Sequence, residues 1–265
     1  KGDKRMTADE TDQPKTVIEV ENLVTHYGPR KILDGVSMNV QEGEVMVIMG
    51  GSGSGKSTLL RFLMALERQT SGTIKLLGND IEELSQQEMF KLRKKIGVAF
   101  QGGALFSSMT VGENIMLPLY EHADLDMMTM EIMARMKLEV VELGGFEDLT
   151  PAELSGGMIK RAAFARAMVM DPRIMFCDEP SAGLDPAVAS ALDDLILRLR
   201  DAMGMTIVVV THTPVLLRAC NNIMALDKGR IAMGGPAQEI LPRLFGGAPR
   251  PAEAAPEAAQ LETSS

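Results

Sequence analysis

Short apolar runs punctuated by turn signals recur along the chain from Thr16. "TVIEV", "VSMNV", "EVMVIM", "TIKLL" and "KIGVAF" each have strand length and strand-like composition. Between the third and fourth, "GKSTLLRFLMALE" spaces its apolar residues as a helix does. Over residues 103–170 the pattern turns helical, with "GENIMLPL", "MEIMARMKLEVVELGG" and "MIKRAAFARAMVM" as the main segments. Strand patterns return in "RIMFCD", "TIVVVT" and "NIMALDKGRIAMGG", alternating with helices predicted over 187–201 and 214–219. This alternation predicts an α/β fold, a largely parallel sheet covered on both faces and interrupted by a helical insertion.

The flanks differ from this pattern. Residues 1–15 are polar and charged and read as a segment outside the domain, with Met6 as a candidate natural start and no leader expected. From residue 247 the composition falls to Ala, Pro, Glu and Ser, too apolar-poor to offset the entropy of ordering, so 247–265 is expected to be a disordered tail. The domain is therefore expected over 16–246. Its longest apolar runs, such as 45–49 and 207–210, are far shorter than the roughly 20 residues that span a bilayer.

Charge narrows the partners. With 27 Lys and Arg against 36 Asp and Glu, the net charge is −9, which repels nucleic-acid phosphates and anionic membrane surfaces. No nucleic-acid partner is expected, and any membrane contact must be local. The two cysteines, Cys177 and Cys220, have neither CxxC spacing nor clustered histidines, which points to a reducing setting without a disulfide framework or thiolate metal site.

Chemistry concentrates at strand ends. "GGSGSGKST" follows the run 45–49 and precedes a helix, the context that confirms a phosphate-binding Walker A loop. Gly50, Gly51, Ser52, Gly53, Ser54 and Gly55 let backbone N–H groups turn toward phosphates; Lys56 reaches the outer phosphates, the Ser57 hydroxyl ligates Mg2+, and Thr58 completes the motif. "RIMFCDEP" ends a second apolar run on two acids. Asp178 is expected to hold Mg2+ through water, and Glu179 to act as base or to orient the attacking water in line. "ELSGGMIKR" opens another predicted helix, where free N–H groups and the helix dipole suit an anion, although Ser155 taken alone also fits an ordinary N-cap.

The order of Walker A, "FQGG" with Gln101, "LSGGM", "CDEP" with Glu179, "SAGLD" and "VTH" with His212 resembles an ABC-type ATPase cassette over roughly residues 17–235. The resemblance implies a P-loop NTPase core with an antiparallel β portion near the N-terminus and the inserted helical subdomain at about 103–170. It also implies ATP hydrolysis between two copies packed head to tail as a homodimer, the Ser155, Gly156 and Gly157 loop of each capping the nucleotide of the other. By the same resemblance Gln101 touches Mg2+ or water and relays movement of the insertion, though alone it is a common strand-end residue. His212 bonds the γ-phosphate, Asp185 is the acid that crosses to the partner cassette, and Tyr27 stacks on adenine. Taken singly, a lone histidine is more often structural, and Tyr27 also fits simple surface packing. Thr213 follows His212 where the family usually has Asp, which puts the geometry of that turn in question.

A narrower likeness joins "FQGGALFSSMTVGENIMLPL" and "LSGGMIKR", with Met158 in place of the usual glutamine, to lipid-trafficking ABC systems of the Mla and MCE type. It implies a peripheral subunit on the cytoplasmic face of the bacterial inner membrane. There it would energise an integral-membrane permease in phospholipid transport between inner and outer membranes, alongside an MCE lipid-binding protein and a STAS-type small subunit. The alternatives are the ATPase of a small-solute importer, or a soluble ABC-type scaffold for cofactor assembly. The methionines at 127, 128, 130, 133 and 136 form a helical stripe that fits either core packing or a groove for a permease helix.

Overall fold

The computed structural model describes residues 15–245. Along the chain run β1 (Thr16–Tyr27), β2 (Arg30–Gln41), β3 (Val45–Gly50), α1 (Lys56–Leu63), β4 (Ser71–Leu76), β5 (Asn79–Asp80), α2 (Gln86–Arg93) and β6 (Ile96–Ala99). There follow α3 (Val111–His122), α4 (Met127–Val140), a 3-10 turn at Pro151–Glu153, α5 (Gly156–Ala167), β7 (Ile174–Asp178) and α6 (Pro186–Met203). β8 (Thr206–Val210), α7 (Pro214–Ala219), β9 (Asn222–Asp227), β10 (Arg230–Pro236) and α8 (Ala237–Phe245) complete the fold. Of the expected flanking segments, 1–15 lies outside the described residues except for Lys15, and 247–265 lies outside them entirely.

Two sheets form. One is antiparallel, in the order β2-β1-β4-β5; the other runs β10-β9-β3-β8-β7-β6, with all neighbours parallel except β10 on β9. The parallel strands are apolar on both faces because both faces are covered. Val45, Val47 and Met49 of β3 join the core shared with α3 to α6, whereas Met46 and Ile48 join the core shared with α1, α2 and the antiparallel sheet. The α/β class, the antiparallel N-terminal portion and the helical insertion thus agree with expectation.

The insertion is assembled by local chemistry. Thr110 and Glu113 form a reciprocal capping box on α3, Asp126 caps α4 by accepting from the Thr129 N–H at 3.0 Å, and Ser155 caps α5. Each cap contributes about 1 kcal/mol. Buried Asn114 bonds the carbonyls of Phe106, Met109 and Thr110 and accepts from the Phe106 N–H, fixing the loop between β6 and α3. The methionine stripe divides: Met130 is buried and Met133 packs on the core, while Met127, Met128 and Met136 are exposed.

Candidate active site

Strand register brings the sequence motifs to one edge. Ile48 of β3 and Asp178 of β7 both pair with Val210 at the end of β8. The phosphate loop, the acids after β7 and the Thr211–Thr213 turn therefore emerge side by side, at the carboxyl ends where open α/β sheets bind ligands. Gln101 arrives from the neighbouring strand, since β6 pairs with β7 up to Ala99 and Cys177.

The loop depends on glycine at its two ends. Gly50 has φ +149°, and a Cβ there would lie 2.3 Å from the Leu226 carbonyl oxygen; Gly55 has φ +106°, and its Cβ would lie 2.8 Å from Leu33 Cδ2. Lys56 Nζ donates to the carbonyls of Gly50 at 2.8 Å and Gly51 at 3.0 Å, so the cation folds back across the loop that precedes it. Gly53, Gly55, Lys56, Ser57 and Thr58 line a cavity of ≈ 230 Å³ together with Tyr27, Arg30 and Ile32. Tyr27 is 44% exposed there, its hydroxyl donating to Glu67 Oε2 at 2.6 Å, a bond that raises the phenol's pKa.

Behind the loop, burial pushes the Asp178 carboxyl up, and the adjacent Glu179 carboxylate adds to the effect; the Ser57 hydroxyl and the Lys56 ammonium pull the other way. Oδ1 of Asp178 is buried without a partner. An orphaned carboxylate oxygen beside a serine hydroxyl suits a hard divalent cation with oxygen ligands. Glu179 has φ +45°, and its Oε2 accepts from Gln101 Nε2 at 3.3 Å. His212 is exposed on the turn after β8.

Two expected residues serve their own helices. Ser155 Oγ accepts from the Met158 N–H at 3.3 Å, and Asp185 Oδ1 accepts from the N–H groups of Ala187 and Val188 at 3.1 Å each, capping α6. Ser155 and Gly156 are exposed, and no acid occupies the first turn of α5. None of Ser155, Gly156 or Gly157 lines the cavity at the phosphate loop.

The sequence model of the ABC transporter family matches residues 33–182. The chain belongs to the ABC transporter family. It is an ATP-binding domain of that family, similar to several relatives. Over 225 residues it is 40% identical to the probable ribonucleotide transport ATP-binding protein mkl of Mycobacterium leprae (strain TN), an overlap of 84% of this chain and 65% of that protein. The chain thus spans just under two thirds of that relative's length. Over 198 residues it is 41% identical to the intermembrane phospholipid transport system ATP-binding protein MlaF of Haemophilus influenzae, 75% of each chain being covered. Among solved structures it superposes with a TM-score of 0.76 on the ATP-binding cassette MJ0796, a dimeric post-hydrolysis state bound to ADP and Pi. There the identity is 32%, with 83% of this chain and 98% of that one covered.

The ABC cassette carries one site-flanking residue that the motif reading passed over. Asp193 on α6 is fully buried between the turns that follow Glu179 and His212. Its signal in the sequence was an acid inside the apolar stripe of Leu192, Leu195, Ile196 and Leu199.

Proposed function

We propose that two copies of this cassette pair head to tail around ATP and energise a permease that moves phospholipid between the bacterial inner and outer membranes. The observation that carries the paired arrangement is the α5 N-terminus: exposed, free of acids and absent from the lining of its own chain's phosphate-loop cavity. An anion-binding helix end so placed suits the γ-phosphate held by another copy. The lipid substrate is supported by the likeness to MlaF.

In this reading Gly50, Gly51, Ser52, Gly53, Ser54, Gly55, Lys56 and Thr58 hold the phosphates, and Tyr27 stacks on the base. Ser57, Asp178 and Gln101 hold Mg2+, which when bound would neutralise charge on the phosphate oxygens. Glu179 orients the attacking water and takes its proton, His212 meets the γ-phosphate, and Ser155, Gly156, Gly157 and Asp185 act from the other copy. Hydrolysis removes the shared phosphate contact and loosens the pair, a differential affinity able to drive a conformational cycle. A cavity of ≈ 550 Å³ lined by Leu66, Glu67, Phe90 and Arg93 among others would seat a permease segment, its lining mixed, with charged groups beside the exposed Leu66 and Phe90. An MCE lipid-binding protein and a STAS-type subunit complete the assembly at the inner membrane.

Glu179→Gln keeps the size and polarity of the base but removes its basicity. It is expected to lower ATP turnover at least 100-fold and to accumulate an ATP-bound dimer on size exclusion. Turnover near the parental rate overturns the assignment of the base. Co-purification with a multi-spanning membrane protein carrying phospholipid supports the lipid reading. ATP-driven uptake of a small solute by that complex, without bound lipid, favours the second reading, solute import, to which the likeness to mkl, a probable ribonucleotide transport protein, lends weight.

A further inference from the structure

Asp193 is fully buried, and both of its carboxylate oxygens lack a hydrogen-bond partner. A carboxyl so placed costs free energy that a leucine or alanine at the same point of α6 would not. Its surroundings explain what it is near. The Ser181 and Thr213 hydroxyls stand beside the carboxyl and favour its ionised form, without closing a bond of normal geometry. The titratable groups acting with it are the Cys177 thiol on β7 and the Asp194 carboxyl on its own helix, and no cation is among them. Burial therefore dominates and favours the protonated acid.

The two hydroxyls belong to the two turns that carry the chemistry. Ser181 is buried two residues after Glu179, in a turn closed by the Ala182 N–H donating to the Glu179 carbonyl at 3.1 Å. Thr213 follows His212 directly; its N–H donates to Thr211 Oγ1 at 3.2 Å, and Thr211 is tied to β3 through the Ile48 carbonyl. A protonated carboxyl has one donor and spare acceptor capacity, and each hydroxyl can do either. The three groups can therefore form a continuous bridge with no ion in it.

We propose that Asp193 is a positioning residue whose carboxyl bridges the Ser181 turn and the Thr213 turn, so that Glu179 and His212 are set as one unit when the paired sites close on ATP. The inference rests on the roles given to Glu179 and His212 above. Hydrogen bonds that are open in the single chain and closed in the reacting pair are stronger in the second state, which is what a contribution to turnover rather than to binding requires.

The test compares Asp193→Leu and Asp193→Asn in the full chain, at saturating ATP and at a protein concentration where parental specific activity has levelled off. Asp193→Leu is expected to lower kcat about 10-fold, with KM for ATP within about twofold and the thermal midpoint no lower than the parent's. Asp193→Asn, which keeps a neutral donor and acceptor, is expected to hold kcat within about threefold of the parent. Parental kcat in Asp193→Leu overturns the proposal, as does an equal loss in both variants. Should Asp193→Leu not fold, Thr213→Val and Ser181→Ala read the same bridge: a kcat loss with unchanged KM in either supports it, and parental kcat in both overturns it. Glu179→Gln is assayed alongside. If that variant still turns over ATP, the site reading itself fails; if it is inactive while the bridge variants are parental, the bridge alone fails.

Discussion

A carboxyl held in apolar surroundings titrates unlike one in water, and the sign of the effect on stability follows from the direction of the shift. Burial raises the pKa of Asp193, so the folded chain binds this proton more tightly than the unfolded chain does. The stabilisation linked to that proton is complete below the ordinary aspartate range near about 4, and is lost as pH rises through the folded value. Ser181 and Thr213 moderate the shift, and neighbouring Asp194 reinforces it. Asp193→Asn has no proton to lose. It is expected to exceed the parent in stability at pH 8, because only the parent loses the linked proton, with the gap narrowing toward pH 4. Urea denaturation of both proteins across that range checks this; a gap that widens on acidification shows the sign to be wrong. The contrast with the phosphate loop explains what was legible at this scale. Gly50, Lys56 and Ser57 announce themselves because each requirement is met within nine consecutive residues. The role of Asp193 depends on Ser181 and Thr213, which only the tertiary fold brings to it.

Elements were read well where their pattern was apolar and poorly where their ends were unusual. α7 matches the expected 214–219, and β3, β7 and β8 fall within a residue or two of their runs. α1 and α4 instead end before the sequence patterns that predicted them, and for one reason. The Leu66 N–H reaches the Arg61 carbonyl and the Ala65 N–H reaches Phe62, with Ala65 at φ +53°; Leu143 to Leu138 and Glu142 to Glu139 repeat the pattern, with Glu142 at φ +60°. Both are Schellman ends closed by residues other than glycine, so the usual stop signal was missing. At Glu142, Arg161 and Arg198 approach the carboxylate and hold its pKa below the usual range. α2 was passed over because it is mostly polar, although the box of Ser85 and Glu88 marks its start. Element packing also tests a motif glycine. A Cβ on Gly157 would lie 2.6 Å from Val188 Cγ1, pressing α5 onto the first turn of α6. Gly157→Ala is therefore expected to destabilise the chain by about 1–3 kcal/mol, and Val188→Ala in the same chain to restore most of the loss in thermal unfolding. Turnover that stays low in the restored double variant assigns Gly157 a role in ligand approach as well as in packing; parental stability in the single variant shows the contact to be slack.

At the scale of the whole molecule the proposed pairing makes the phosphate loop and the α5 N-terminus two halves of one binding site, carried on different parts of the surface. Gly53 and Gly55 to Thr58 face a cavity bordered by Tyr27, Arg30 and Ile32, while Ser155 and Gly156 lie exposed on the helical subdomain. If each reaction centre takes one half from each copy, damage to the halves must complement in a mixture. Lys56→Ala removes the cation that lies across the phosphate loop, and Ser155→Arg fills the helix end with bulk; each variant alone is expected to be inactive, because both sites of its homodimer are broken in the same way. Mixed in equal amounts with random pairing, half of the dimers contain one of each. Such a dimer has one site in which both lesions fall together and one with neither. The mixture should therefore recover about a quarter of parental specific activity, since half of the dimers carry half of the intact sites. Each chain bears a net charge of −9, so the copies repel one another at long range, and recovery should come faster as moderate salt screens that repulsion. ATP turnover followed after mixing measures both effects. A mixture that stays inactive, with each variant shown to dimerise, means that the two halves never meet across the interface.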